Sequence, residues 1–315
     1  MRSNLANYQS ILRSLREHPG YSLMRGMARF AAVRHGVTAA RQMMQARLLD
    51  RYLAECDARM KTSVFANLDC DSFVHAMNEN GVALGLHLPS NVLDEVYTYA
   101  TQNPCYADRN PAYGFTLNRR AQAETALSKT ILLAQYFNTA ENCPAIAMLM
   151  RDPMLLAIAG KYLQSLPTLV GVNLWWTFAV DASAEDRDRH AHLFHCDVDD
   201  FRFFKFFFYI NDVRPGDGAH VCVSSSHHRR PLFRLSDNWN LRRYSDLEIE
   251  SAYPADRILE ICGPAGTGFA ENTLCIHKGR TPTFGNRLML QFQFALFDYG
   301  LMHDRCELEK LKHIS

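Results

Sequence analysis

The chain has 315 residues, of which 48% are hydrophobic and 21% charged, and a formal net charge of +1. This is enough apolar content for one large domain with a sizeable core, and too little net charge for a global field favouring nucleic acid. There is no run of the ~20 uninterrupted apolar residues a membrane span needs, no apolar stretch of a secretory signal, and no C-x-x-C pair among the nine cysteines, so a cytosolic (cytoplasmic) protein with reduced thiols is expected.

Helical patterns dominate the first half. Thr38–Lys61 places Met43, Leu48, Leu49, Tyr52 and Leu53 at helical spacing. Residues 1–61 hold eleven Lys/Arg against four Asp/Glu. Residues 1–65 therefore read as a basic helical N-terminal extension, and 66–315 as the main domain. The basic face is either simply solvated or a docking surface for an anionic partner, such as a phosphorylated substrate, a carrier protein or a membrane surface. From Asp69 to Asn103 the pattern is helix, strand, helix, with the Asn80-Gly81 turn leading into Val82–Leu88 and Ser90 placed to cap the next helix. Ala121–Phe137 and Cys143–Leu163 read as further helices. Near Pro167 the character changes. Leu169–Val180, Phe203–Val213, Ala219–Ser225, Ile258–Cys262, Thr273–His277 and Leu288–Asp298 are short β-rich runs, most of them separated by Gly/Pro/Asp turns. The fold expected is α+β: a jelly-roll core over about 167–298 with a helical N-terminal half packed around it.

Seven of the thirteen histidines fall between 190 and 277. In a strand, residues i and i+2 share a face, so His195-Cys196-Asp197 would present an imidazole beside a carboxylate. H-x-D alone arises readily by chance as a surface pair. A third donor, His277, sits at the end of the apolar run TLCIHKGR. Two histidines and one carboxylate make the facial triad of non-haem iron(II) sites, which leaves positions for a 2-oxo acid and O2. Ten residues after His277, Arg287 opens the strand RLMLQFQFA, and an arginine pairs with a carboxylate through two parallel hydrogen bonds.

These residues lie within motifs that resemble the phytanoyl-CoA dioxygenase family of iron(II)/2-oxoglutarate oxygenases, over roughly residues 69–298. The opening FVHAMNENGVALGLHLPSNVLDEV is similar to the family's helix, strand and second helix. FHCDVDDFRFFKFFFYINDVRPGDGAHVCVSSSHH is similar to its H-x-D, strand and G-S-H segment, and AGTGFAENTLCIHKGRTPTFGNRLMLQ to its H-x-G … N-R ending. The resemblance implies a double-stranded β-helix core and Fe(II), 2-oxoglutarate and O2 as cofactor and cosubstrates. It implies His195, Asp197 and His277 as metal ligands and Arg287 as the 2-oxoglutarate residue, in a dioxygenase hydroxylating a small molecule. Ser225 stands where the family has the glycine of G-S-H. The presence of Asp197 disfavours halogenation, because related halogenases lack that carboxylate.

Other residues near this set have competing readings. Lys205, inside a phenylalanine-rich run, either snorkels or meets an anion, so it is a candidate cosubstrate contact. Alternation puts Lys205, Phe207 and Tyr209 on one face, making Tyr209 a substrate candidate. Of Trp175 and Trp176, adjacent on a strand, one should be core and one should line the pocket. His190 and His192 could compete as ligands, but Asp197 pairs with His195; both read as loop histidines, with substrate contact as the alternative. His227, His228, Arg229 and Arg230 read as an exposed loop end or a basic rim. The rivals to the oxygenase reading are a cupin-like zinc or manganese protein and a metal-binding scaffold, and neither needs a buried arginine beside the metal.

Overall fold

The computed structural model describes residues 16–180, 193–228, 231–232, 242–301 and 304–314. His190, His192, Arg229 and Arg230 lie outside them. The fold combines helices with antiparallel sheet. Helices α1 (Pro19–Met27), α2 (Ala31–Arg59) and α3 (Cys70–Asn80) precede strand β1 (Val82–His87) and α4 (Ser90–Gln102). Then come β2 (Cys105–Ala107), β3 (Gly114–Phe115), α5 (Arg120–Leu127), β4 (Leu133–Gln135), and the helices α6 (Thr139–Asn142), α7 (Pro144–Leu149) and α8 (Pro153–Leu163). The remainder is β5 (Thr168–Thr177), β6 (Phe203–Tyr209), β7 (His220–Val223), α9 (Asp246–Ala252), β8 (Ile258–Ile261), β9 (Thr267–Glu271), β10 (His277–Gly279) and β11 (Arg287–Ala295). The strands form an eight-stranded sheet ordered β1-β9-β6-β11-β5-β4-β2-β3 and a three-stranded sheet ordered β10-β7-β8.

Strand alternation divides the molecule. Val172, Leu174 and Trp176 of β5, Phe204, Phe206 and Phe208 of β6, and Leu288, Leu290, Phe292 and Phe294 of β11 join the helices in the principal core. The alternate residues, including Phe207, Tyr209 and Met289, face the small sheet and pack with Cys222 and Ile261. The two faces follow directly from the period of two.

Several boundaries differ from the sequence pattern. The expected helix Ala121–Phe137 stops at Leu127, and Leu133–Gln135 pairs with β5 instead. Cys143–Leu163 is two helices, because the Asp152 carboxylate accepts the Met154 and Leu155 amides and Pro153 starts a new helix. Ser90 makes no capping bond; Pro89 occupies that position. The run Thr273–His277 is a turn, and the strand begins at His277. Strand β9, unread in the sequence, bridges β1 and β6.

The N-terminal segment packs into the same core, where Met24 and Ala28 are buried. Helix α2 turns Leu49, Tyr52 and Leu53 toward Gly160 of α8, where an added methyl group would lie 3.2–3.3 Å from them. Met43, 83% exposed, and Leu48 face outward instead, so the apolar residues of α2 split between two faces. Among the described residues no helix is long and apolar enough to cross a membrane, and all nine cysteines are free thiols.

Candidate metal centre

His195 and His277 stand opposite each other on an antiparallel bridge. The amide of each donates to the carbonyl of the other at 2.9 Å. His277 is further held by pairing of β10 with β7, opposite Cys222. Asp197 is placed by its amide, which donates to the Thr273 carbonyl at 2.8 Å. Both imidazoles use Nδ1 on backbone: His195 on Leu193 O and His277 on Cys275 O, each at 2.9 Å. A carbonyl can only accept, so Nδ1 carries the proton and Nε2 is left as a lone-pair donor. The two Nε2 atoms lie 3.6 Å from Asp197 Oδ1 and Oδ2 respectively. One donor atom from each residue falls within 4.8 Å of the others, close enough to hold one metal ion. Burial, and then the neighbouring His277, lower the His195 pKa to about 3, so this imidazole is neutral at ordinary pH.

Lys205 is buried, with Nζ 2.6 Å from Asp197 Oδ2 and 3.1 Å from Asp199 Oδ2. Burial alone would raise the Asp197 pKa. Lys205 and the two imidazoles outweigh it and hold this carboxyl well below the usual range. Lys205 thus lines the pocket with its ammonium shared between the Asp197 and Asp199 carboxylates.

The site opens into a cavity of about 420 Å³ lined by the triad, Lys205, Arg287, Arg109, Trp175, Phe207, Met289, and the amides Gln135, Asn173, Gln291 and Gln293. Arg287 is 3% exposed. It donates through Nη1 to Gly218 O and through Nη2 to Thr177 Oγ1 at 3.2 Å, while its Nε has no partner. The guanidinium has no ion-pair partner among the described residues. Gly279 makes room for it, since a Cβ there would come within 3.2 Å of Nη2. A recess of about 40 Å³ shares Asn173, Asp199 and Gln293 with the cavity and is closed by Tyr21 of α1 and Tyr299. The N-terminal segment therefore reaches the rim of the site.

The other sequence candidates separate. Trp175 lines the cavity, whereas Trp176 points into the principal core and donates through Nε1 to Tyr136 Oη at 2.9 Å. Tyr209 does not reach the cavity. It is buried between sheets, its hydroxyl donating to Ile261 O at 2.7 Å and accepting from the His220 amide at 2.9 Å. The substrate-contact readings of Trp176 and Tyr209 are corrected accordingly. His192 lies outside the described residues.

Two groups were missed by the sequence reading. Arg109 lines the cavity from the β2–β3 turn as an exposed side chain, at a position the sequence reading did not single out. His220 also lines the cavity, with Nε2 2.5 Å from Glu271 Oε2. Burial raises the Glu271 pKa to about 8, and burial followed by Arg287 lowers that of His220 to about 3. The pair is thus a carboxylic acid donating to a neutral imidazole. Glu271, raised from 4.5, contributes stability that is complete below pH 4.5 and lost as pH rises through about 8. Glu271→Gln keeps a donor but cannot ionise. Between pH 6.5 and 8, above the window in which His220 titrates, metal-free wild type should lose roughly 2–5 °C of melting temperature relative to this variant. Parallel melting curves for the two proteins would refute the neutral pair.

No family model matches the chain, and no curated protein matches its sequence. Similar solved structures include HygX from Streptomyces hygroscopicus with nickel and 2-oxoglutarate bound, at 16% identity over 71% of this chain and 85% of that one, TM-score 0.48. The epimerase SnoN in complex with Fe3+, alpha ketoglutarate and nogalamycin RO is similar at 12% identity over 74% and 87%, TM-score 0.49. AviO1 from Streptomyces viridochromogenes is similar at 11% identity over 72% and 95%, TM-score 0.45.

Proposed function

We propose that this chain is an iron(II)- and 2-oxoglutarate-dependent dioxygenase that hydroxylates an unactivated C–H bond of a small molecule on a double-stranded β-helix core of the phytanoyl-CoA dioxygenase kind. The observation that carries this reading is Arg287, a buried guanidinium without a carboxylate partner, lining the same cavity as the His195/Asp197/His277 set. A buried cation without a counter-ion is costly unless an anion arrives to complete it. A zinc, manganese or scaffold site would not require it.

The donor set fits iron(II). It offers two imidazoles and one carboxylate, each imidazole turned by a backbone carbonyl so that Nε2 faces the carboxylate. Iron with 2-oxoglutarate and O2 would supply the oxidising power, leaving succinate and CO2. The protein's part is placement. Arg287 fixes one end of the cosubstrate by its fork of donors. Lys205 donates to Asp197 Oδ2 and so holds this carboxylate in place. Trp175, Phe207 and Met289 supply apolar wall beside the reacting position.

Anaerobic addition of iron(II) and 2-oxoglutarate to metal-free protein tests the reading. A weak visible charge-transfer band that needs both components is expected. Tight metal binding without that band would count for the zinc or scaffold readings instead.

A further inference from the structure

The cavity holds a second guanidinium that the proposed reaction does not use. Arg109 lines it from the turn between β2 and β3, at the end of the large sheet opposite β1. Asp108 and Arg109 both have positive φ, 53° and 60°, a left-handed conformation that side-chain-bearing residues rarely adopt, still less in succession. The turn is pinned in that shape. The Asp108 amide donates to Leu133 O at 2.9 Å and the Asn110 amide to Ala107 O at 2.9 Å. Lys129 pairs with the Asp108 carboxylate and lies 5.4 Å from the centre of the Tyr113 ring. A strained turn held from several sides and tipped by an arginine is the kind of local cost that persists at binding sites. The Arg109 side chain itself has no hydrogen-bond or ion-pair partner among the described residues.

Charge gives the same indication. Three cations line the cavity, Lys205, Arg109 and Arg287, against two carboxylates, Asp197 and Asp199. Lys205 is already shared by both carboxylates. With a divalent metal on the triad and neutral imidazoles, the lining carries three positive charges. The dianion of 2-oxoglutarate at Arg287 leaves one, and Arg109 is the group left without an anion. Beside it the lining is polar. Asn173 of β5 and Gln291 of β11 are cross-strand partners, and neither side chain is hydrogen-bonded within the described residues. Paired free amides offer donors and acceptors to hydroxyl or amide groups.

We propose that Arg109 is the substrate-recognition residue of this site. It would take the acid group, carboxylate or phosphate, of a small hydroxyl- or amide-bearing molecule whose remaining polar groups meet Asn173 and Gln291. This rests on the oxygenase reading, because it assigns the Arg287 position to 2-oxoglutarate.

The test uses the full chain, anaerobic, loaded with iron(II) and saturating 2-oxoglutarate, whose visible band reports the cosubstrate separately. Glucuronate, glucose 6-phosphate and glucose are then titrated calorimetrically as probes into wild type, Arg109→Asn and Arg109→Lys. Asparagine tolerates the left-handed conformation, so the turn is kept. At least one charged probe should bind wild type more tightly than glucose does. That preference should fall about 10- to 100-fold in Arg109→Asn and recover in part in Arg109→Lys, with the cosubstrate band unchanged. Whichever charged probe binds names the headgroup. Equal binding of charged and neutral probes, no binding of either charged probe, or an unchanged preference in Arg109→Asn overturns the proposal. So does loss of the cosubstrate band in Arg109→Asn, which would move Arg109 to the 2-oxoglutarate site and leave the oxygenase reading standing. Absence of the band in wild type would remove the oxygenase reading itself.

Discussion

Replacing Arg287 with alanine should raise the 2-oxoglutarate dissociation constant by roughly 100-fold or more while leaving iron(II) affinity within a few-fold of wild type. Removing one member of a buried, hydrogen-bonded charge pair typically costs about 2–5 kcal/mol, most of it the penalty for the charge left behind. Here the charge left behind belongs to the cosubstrate, so the loss appears in binding. The protein itself should not suffer. Arg287 has no ion-pair partner within the described residues, its partners Gly218 O and Thr177 Oγ1 are neutral, and Thr177 lines the cavity, where water can replace the donor. Arg287→Lys should recover only part of the affinity, since an ammonium cannot reproduce the two-pronged contact. Calorimetric titration of 2-oxoglutarate into metal-loaded protein checks this. Unchanged cosubstrate affinity in Arg287→Ala would remove the central support of the oxygenase reading.

Asp197→Ala should abolish turnover and weaken metal binding by about 100-fold or more. It removes a proposed ligand, where loss of an outer partner alone typically costs 10–100-fold. It also strips Lys205 of the closer of its two carboxylates. The variant should therefore melt lower than wild type even without metal, because a buried ammonium is then balanced by Asp199 alone. His277→Ala should lose metal comparably without that second penalty, so the difference between the two metal-free melting temperatures isolates the part played by Lys205. Metal titration and thermal melts on both variants decide the matter. Retained metal binding and activity in Asp197→Ala would mean that Asp199 serves as the ligand.

Much of this site was legible in the linear pattern, for a simple geometric reason. His195 and Asp197 are two residues apart, His277 ends an apolar run, and Arg287 opens the next strand, so spacing marked them as candidates and the family-like motifs joined them into one set. The structure brings all four to one cavity. What remained hidden depends on register between distant strands. His220 of β7 and Glu271 of β9 belong to different sheets, and their contact follows from how those sheets stack. Strand β9 itself was unread because its sequence, TGFAE, is short and follows a Gly/Pro turn. Alternation placed Lys205, Phe207 and Tyr209 on one face correctly, yet only the first two line the cavity. Tyr209, further along the strand, packs against the small sheet over Ile261. Period two gives the face and says nothing about depth. Arg109 was invisible for another reason: its direction is set by two left-handed backbone conformations that no residue type in that turn demands. In the helical half, apolar periodicity carried through the Pro153 break and into β4, where sheet pairing with β5 overrode it.

The split between the two faces of β5, β6 and β11 bears on how such a molecule can diversify. Phenylalanines, leucines and Trp176 on one side cement the helices to the sheet. Asn173, Trp175, Met289, Gln291 and Gln293 on the other side line the cavity. Selection for a new ligand acts on one set of alternate codons, and selection for folding acts on the set between them. Such a chain can wander through substrate space while its scaffold stays still, and laboratory libraries confined to those five inward positions would begin from the same advantage.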